Sequence, residues 1–124
     1  MPAVLFVEDD DCLRDLIAEA LRDTGFVVIE RKLAEEALVY LGQNTPDIIL
    51  LDLGMPPGEM SGLELLARLR EGDAAARIPV VVLSGFGDVV NRDVTGRLGV
   101  SLVLSKPASG ADIARAIAQS LRSP

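Results

Sequence analysis

The chain has 124 residues, 49% hydrophobic and 3% aromatic, which is enough aliphatic material for one sizeable core and sets the expected domain count at one. Twelve basic against nineteen acidic residues leave a formal charge of −7, which opposes direct binding to nucleic acid or to an anionic membrane surface. With no histidine present, His-based general catalysis, His-ligated metals and His phosphorylation are excluded, and a single cysteine, Cys12, excludes an intramolecular disulfide.

Short apolar runs alternate along the chain with longer stretches of helical period, the pattern of repeated βα units. The first run, residues 3–7, follows Met1-Pro2 directly, with no basic leader and no 18-residue apolar span, so a soluble cytoplasmic protein is expected. Leu13, Leu16, Ile17, Ala20 and Leu21 then recur at three- and four-residue steps on a helix starting near Asp11 and stopped by Gly25, with Cys12 read as a small buried hydrophobe. A second strand is expected at 26–30. Leu33, Ala37, Leu38 and Leu41 mark the next helix, which ends at Gly42, and Asn44 and Pro46 turn the chain into a third strand at 47–51. Leu63, Leu66, Leu69 and Arg70 define a helix ending near Gly72, followed by a fourth strand at 79–83. Val90, Val94 and Leu98 give a weaker helix broken by Gly96 and Gly99. A fifth strand, 100–104, leads to a last helix carrying Ile113, Ala116, Ile117 and Leu121, with Ser109 as its cap.

The strands are short, rich in Leu or β-branched residues and free of internal charge, as strands covered on both faces should be. Right-handed crossovers place helices on both faces of a five-stranded parallel sheet, and the order 2-1-3-4-5 sets strands one and three side by side. The fold class is therefore α/β, doubly wound. No linker or low-complexity segment divides residues 1–124, and Ser123-Pro124 follow the last helix with no output domain expected in this chain.

Three of the apolar runs end in charge: Glu8-Asp9-Asp10 after the first, Asp52 after the third, and Ser105-Lys106-Pro107 after the fifth. The carboxyl ends of parallel strands meet in one crevice, where such sheets bind ligands. Carboxylates crowded there need a cation between them, and an ammonium beside them suits an incoming anion. A metal-assisted reaction at an aspartate is the chemistry this pattern suggests. Asp10 competes as a ligand, but it stands where a solvated cap of the first helix is expected.

Taken with Met55-Pro56 beyond Asp52 and Ser84 after the fourth strand, these residues form an ordered set at successive strand ends. In that set the chain resembles the response-regulator receiver domains of two-component signalling along essentially its whole length. The resemblance implies a flavodoxin-like fold and a signalling intermediate rather than a turnover enzyme. Asp52 would accept a phosphoryl group from a sensor histidine kinase or a histidine phosphotransfer protein. Asp9, Asp52 and the backbone carbonyl of Gly54 would bind Mg²⁺ directly and Glu8 through water, an oxygen set suited to that ion. Lys106, aimed by Pro107, would pair with a phosphoryl oxygen, and Ser84 would offer its hydroxyl to the same group, with Gly85 leaving room for it.

The chain also departs from the family pattern. Val103 stands where a Tyr or Phe often turns inward on activation, and Ala108 stands where Phe is common. The loop at 55–62 is about two residues longer than the usual form of the motif. Gly54 and Phe86, two residues beyond Asp52 and Ser84, cannot position a hydrolytic water through their side chains, so slow self-dephosphorylation is expected. A charged helical surface bearing Arg92, Asp93, Arg97, Asp112 and Arg115 is a candidate homodimer face. The alternative reading is a pseudo-receiver, an interaction module that keeps the fold without using phosphorylation. An aspartate-nucleophile phosphatase is disfavoured by Gly54, which stands where a second acid is commonly needed. A dinucleotide or flavin binder is disfavoured by the absence of a glycine-rich turn after the first strand. The downstream effector is not legible.

Overall fold

The computed structural model describes residues 1–53, 60–72, 77–85 and 98–122. Five strands alternate with helices: β1 (Ala3–Val7), α1 (Asp11–Asp23), β2 (Val27–Arg31), α2 (Ala34–Leu41), β3 (Ile48–Asp52), α3 (Gly62–Glu71), β4 (Val80–Ser84), β5 (Val100–Ser105) and α4 (Gly110–Arg122). All ladders are parallel, and the order is β2-β1-β3-β4-β5, the doubly wound flavodoxin-like arrangement expected from the sequence. The helix expected around Val90 and Val94 lies outside the described residues, as do Arg92, Asp93 and Arg97. Leu98 sits in the turn that leads into β5.

Three strands begin and end one residue later than their apolar runs suggest. The Phe26 amide donates to Leu21 O at 3.1 Å, which keeps Phe26 in the turn after α1. Asp47 closes the start of the sheet from outside the strand: its amide donates to Ala3 O at 2.9 Å and its carboxylate accepts from Ala3 N at 2.7 Å. Pro79 has no N–H to donate, so only its carbonyl enters the ladder, accepting from Ile49 N at 3.0 Å. In consequence Asp52 and Ser84 are the last residues of their strands rather than the first of the loops beyond.

The helices start and stop through local chemistry. Asp10 caps α1, its carboxylate accepting from Leu13 N at 3.0 Å, and Gly25 follows the helix end at φ +102°, a left-handed conformation that glycine adopts without penalty. Glu36 reaches back to accept from Leu33 N at 2.9 Å, so Leu33 precedes α2 and is exposed, leaving Ala34 and Ala37 as the packed face. Ser61 caps α3 through a 3.1 Å bond from Glu64 N. Ser109 and Asp112 cap α4 reciprocally, Asp112 N donating to Ser109 Oγ at 3.0 Å.

Two aliphatic layers sandwich the sheet. Val4, Phe6, Ile48, Leu50, Val81 and Leu83 face α1 and α4 through Ile17, Leu21, Ile113 and Ile117. Leu5, Val7, Ile49, Leu51, Val80 and Val82 face α2 and α3 through Ala37, Leu65, Leu66 and Leu69. Each fully buried Leu, Ile or Val contributes about 1.5–3 kcal/mol of transfer free energy. The expectation of strands covered on both faces holds for β3 and β4, which are buried throughout, and for β1 from Val4 on. It fails at the sheet edges, where Val27 of β2 and Ser101, Val103 and Ser105 of β5 are exposed.

The stripe read on α1 needs one correction. Ile17, Ala18 and Leu21 are buried, whereas Leu16 is 67% exposed and Cys12 is exposed as well. At 3.6 residues per turn Cys12 and Leu16 stand about 40° apart and Cys12 about half a turn from Leu21, so both occupy the outer face. Among the described residues no helix is long and apolar enough to cross a membrane.

Candidate functional site

Three strand ends bring the charged residues together. Glu8 extends β1, its amide donating to Arg31 O at 3.0 Å, and its side chain is fully buried. Asp9 follows it, half-buried, and donates its own amide to Glu8 Oε2 at 3.1 Å. Asp52 ends the neighbouring strand β3 and is 2% exposed. One carboxylate oxygen from each of Glu8, Asp9 and Asp52 lies within 4.8 Å of the others. Three hard oxygen donors at that spacing could hold a divalent cation.

Lys106 reaches the same place from the far side. Its amide donates to Ser84 O at 2.8 Å, continuing the β4–β5 ladder one step past the paired Ser84 and Ser105. That anchor carries its ammonium to 2.7 Å from Asp52 Oδ2 and 3.8 Å from Glu8 Oε1. The Lys106-Pro107 peptide is cis. The sequence suggested a lysine that would meet a later anion; in the structure it already neutralises Asp52.

Glu8 bears the electrostatic cost of the cluster. Burial, then a hydrogen bond to Asp52 and the charge of that residue, push its carboxyl up to about 9, with the Lys106 ammonium opposing the shift. Its Oε1 is buried and makes no hydrogen bond among the described residues. A buried carboxyl oxygen left unsatisfied beside two more carboxylates suits a cation ligand, directly or through water, and on this ground the donor set fits Mg²⁺.

Ser84 closes β4 beside Asp52, with Leu83 opposite Asp52 in the ladder. Strand alternation sets Ser84 with Val80 and Val82, on the face opposite that of Asp52, which alternates with Ile48 and Leu50. The two residues therefore share a sheet edge but leave it on different faces. Gly54, expected to offer its carbonyl, and Phe86 lie outside the described residues. Asp10 is the helix cap, not a member of the acidic group. Ala108 borders an apolar cavity of about 390 Å³ beside the site, lined also by Leu13, Ile17, Leu83 and Ile113.

Sequence reasoning passed over Arg14. Its Nη1 donates to Glu8 O at 2.8 Å, while its Nη2 pairs with Asp11 at 2.7 Å, so it ties the start of α1 to the acidic turn. Its position one turn into the helix that follows the acids was the available signal.

Comparison with known proteins identifies the family. Residues 4–118 match the response regulator receiver domain family. The chain is 35% identical over 107 residues to the KDP operon transcriptional regulatory protein KdpE of Escherichia coli, covering 86% of this chain and 45% of that protein. It is 30% identical to the polar-differentiation response regulator DivK of Brucella anthropi, covering 86% and 85% of the two chains. The chain thus spans less than half the length of KdpE and most of that of DivK. The receiver domain of the Francisella response regulator 1452 superposes with a TM-score of 0.85 over 98% of both chains at 25% identity. The chain belongs to the response-regulator receiver domains of two-component systems.

Proposed function

We propose that this receiver accepts a phosphoryl group on Asp52 in a Mg²⁺-dependent reaction and passes a conformational signal to a protein partner. The observation that carries the reading is the meeting of Lys106 Nζ with Asp52 Oδ2 at 2.7 Å inside a group of three clustered acids. An Asp52 carboxylate oxygen attacks the phosphorus of a donor phosphohistidine; the P–N bond breaks, and the imidazole nitrogen keeps the electron pair and takes a proton. Asp9 and Asp52, with Glu8 and the carbonyl of Gly54, would hold Mg²⁺, which offsets charge repulsion between carboxylate and phosphoryl group when bound. Lys106 pairs with Asp52 beforehand and then transfers its contact to a phosphoryl oxygen. Ser84 turns from its own face of the sheet toward the new oxygens, and the population shifts to the state in which Ser84 and Lys106 both touch them.

On this reading the chain is a signalling intermediate that catalyses only its own phosphorylation and dephosphorylation. Residues 1–124 act as one receiver unit in the cytoplasm, served by a sensor histidine kinase or a histidine phosphotransfer protein. The test is incubation with Mg²⁺ and acetyl phosphate, read by intact mass. A gain of about 80 Da that requires both Mg²⁺ and Asp52 and is lost in Asp52→Asn is expected. No gain in the folded wild-type protein would favour the pseudo-receiver reading.

A further inference from the structure

Val100 and Leu102 stand two residues apart on one strand, yet they pack on opposite faces of the sheet. Val100 joins Val80 against the α2 and α3 layer, whereas Leu102 and Leu104 join Val81 and Leu83 against α1 and α4. Regular alternation would put them on one face. The ladder shows where the extra residue goes: Val80 pairs with Val100 and Val81 with Leu102, so Ser101 has no partner on β4. A β-bulge of this kind re-aims every side chain beyond it.

The side chain that matters beyond this bulge is Lys106. Counted on from Leu102 and Leu104, it takes the face of Glu8 and Asp52, which continue the alternation of Phe6 and Leu50. Counted on from Val100 through a regular strand, it would turn to the other face and lie one residue, roughly 3.3 Å, farther along the sheet.

Arg70, at the end of α3, grips both strands just before the bulge. Its Nη1 donates to Ile78 O at 2.8 Å, its Nη2 to Gly99 O at 3.1 Å, and its Nε to Leu98 O. Ile78 stands two residues ahead of Val80 and Gly99 one ahead of Val100, the pair that opens the ladder. Gly99 has φ +69°, a left-handed conformation that glycine adopts without penalty, and the guanidinium packs 3.5 Å from where its β-carbon would stand.

We infer that Arg70 is a positioning residue for Lys106: by fixing the first β4–β5 pair it forces the extra residue to be absorbed at Ser101, which turns Lys106 toward Asp52. Its bearing on phosphoryl transfer rests on the role proposed above for Lys106, whereas the register can be measured without any phosphodonor. Arg70→Met removes these three hydrogen bonds, counted among the described residues. Deleting Ser101 removes the bulge yet leaves Leu102 opposite Val81, so a regular ladder then delivers Lys106 to the same place without help.

The register is read from Ser84–Ser105 cross-strand NOEs and from exchange of the Lys106 amide, which donates to Ser84 O. In R70M, protection of that amide should fall about tenfold relative to the β1 amides, and the NOE should weaken. In R70M lacking Ser101, protection should return to within about threefold of wild type. Wild-type protection in R70M, or an equal loss in both variants, overturns the inference. Should R70M not fold, R70K takes its place, with a smaller loss and the same rescue required. Acetyl phosphate labelling should follow the register across the variants. A register effect without labelling in any variant would count against the role of Asp52 and leave the positioning by Arg70 standing.

Discussion

Replacing Lys106 with methionine removes one ammonium and almost no volume, so it isolates the electrostatics of the site. At the observed 2.7 Å separation from Asp52 Oδ2 and an effective dielectric of about 20, the gross attraction is about 6 kcal/mol. Desolvation offsets part of it, because Asp52 is 2% exposed while the lysine side chain keeps 27% of its surface. A net loss of about 2–4 kcal/mol is expected for Lys106→Met, since the carboxylate left behind is buried without its counter-ion. Urea unfolding in EDTA measures this. A loss below about 0.5 kcal/mol would refute the view that Lys106 compensates the charge of a buried carboxylate.

Other outcomes follow from the same structure. Glu8→Gln should change stability at pH 7 by no more than about 0.5 kcal/mol, because burial already keeps the Glu8 carboxyl protonated there, yet it should lower Mg²⁺ affinity about tenfold by calorimetry. Ile117→Ala, at a fully buried position of α4, should cost about 2–5 kcal/mol in denaturant unfolding. Hydrogen bonds from Ser109 and Arg115 hold the Asp112 carboxyl below its ordinary range, so its contribution to α4 is present above that range and is lost as pH falls through the lowered value. Amide exchange at the start of α4 should show that acid loss in wild type and not in Asp112→Asn.

Much of this architecture is written in the sequence because it rests on local signals. Apolar runs of strand length, Gly25 and Gly42 after helices, and Asp10 and Ser109 as caps all act within a few residues of themselves. The charged strand ends are legible for the same reason: Glu8, Asp52 and Lys106 each end an apolar run, and parallel topology then makes them neighbours. What escaped the sequence depends on contacts across the fold. The outward turn of Leu16 and Cys12 is decided by which side of α1 meets the sheet, not by the spacing of apolar residues. The one-residue shift of β3 and β4 comes from Asp47 and Pro79 serving the neighbouring strand. The burial that protonates Glu8, the pairing of Lys106 with Asp52 and the bulge at Ser101 join residues far apart in the chain, and no local pattern announces them.

The most direct test of the central claim is to locate the phosphoryl group by its chemistry. An aspartyl phosphate is an acyl phosphate, which borohydride reduces to homoserine, and peptide mass spectrometry then identifies the residue. After treatment with Mg²⁺ and acetyl phosphate, homoserine should appear at position 52 and only when Mg²⁺ is present. Homoserine at another residue, or labelling of Asp52 that persists in EDTA, would contradict the account.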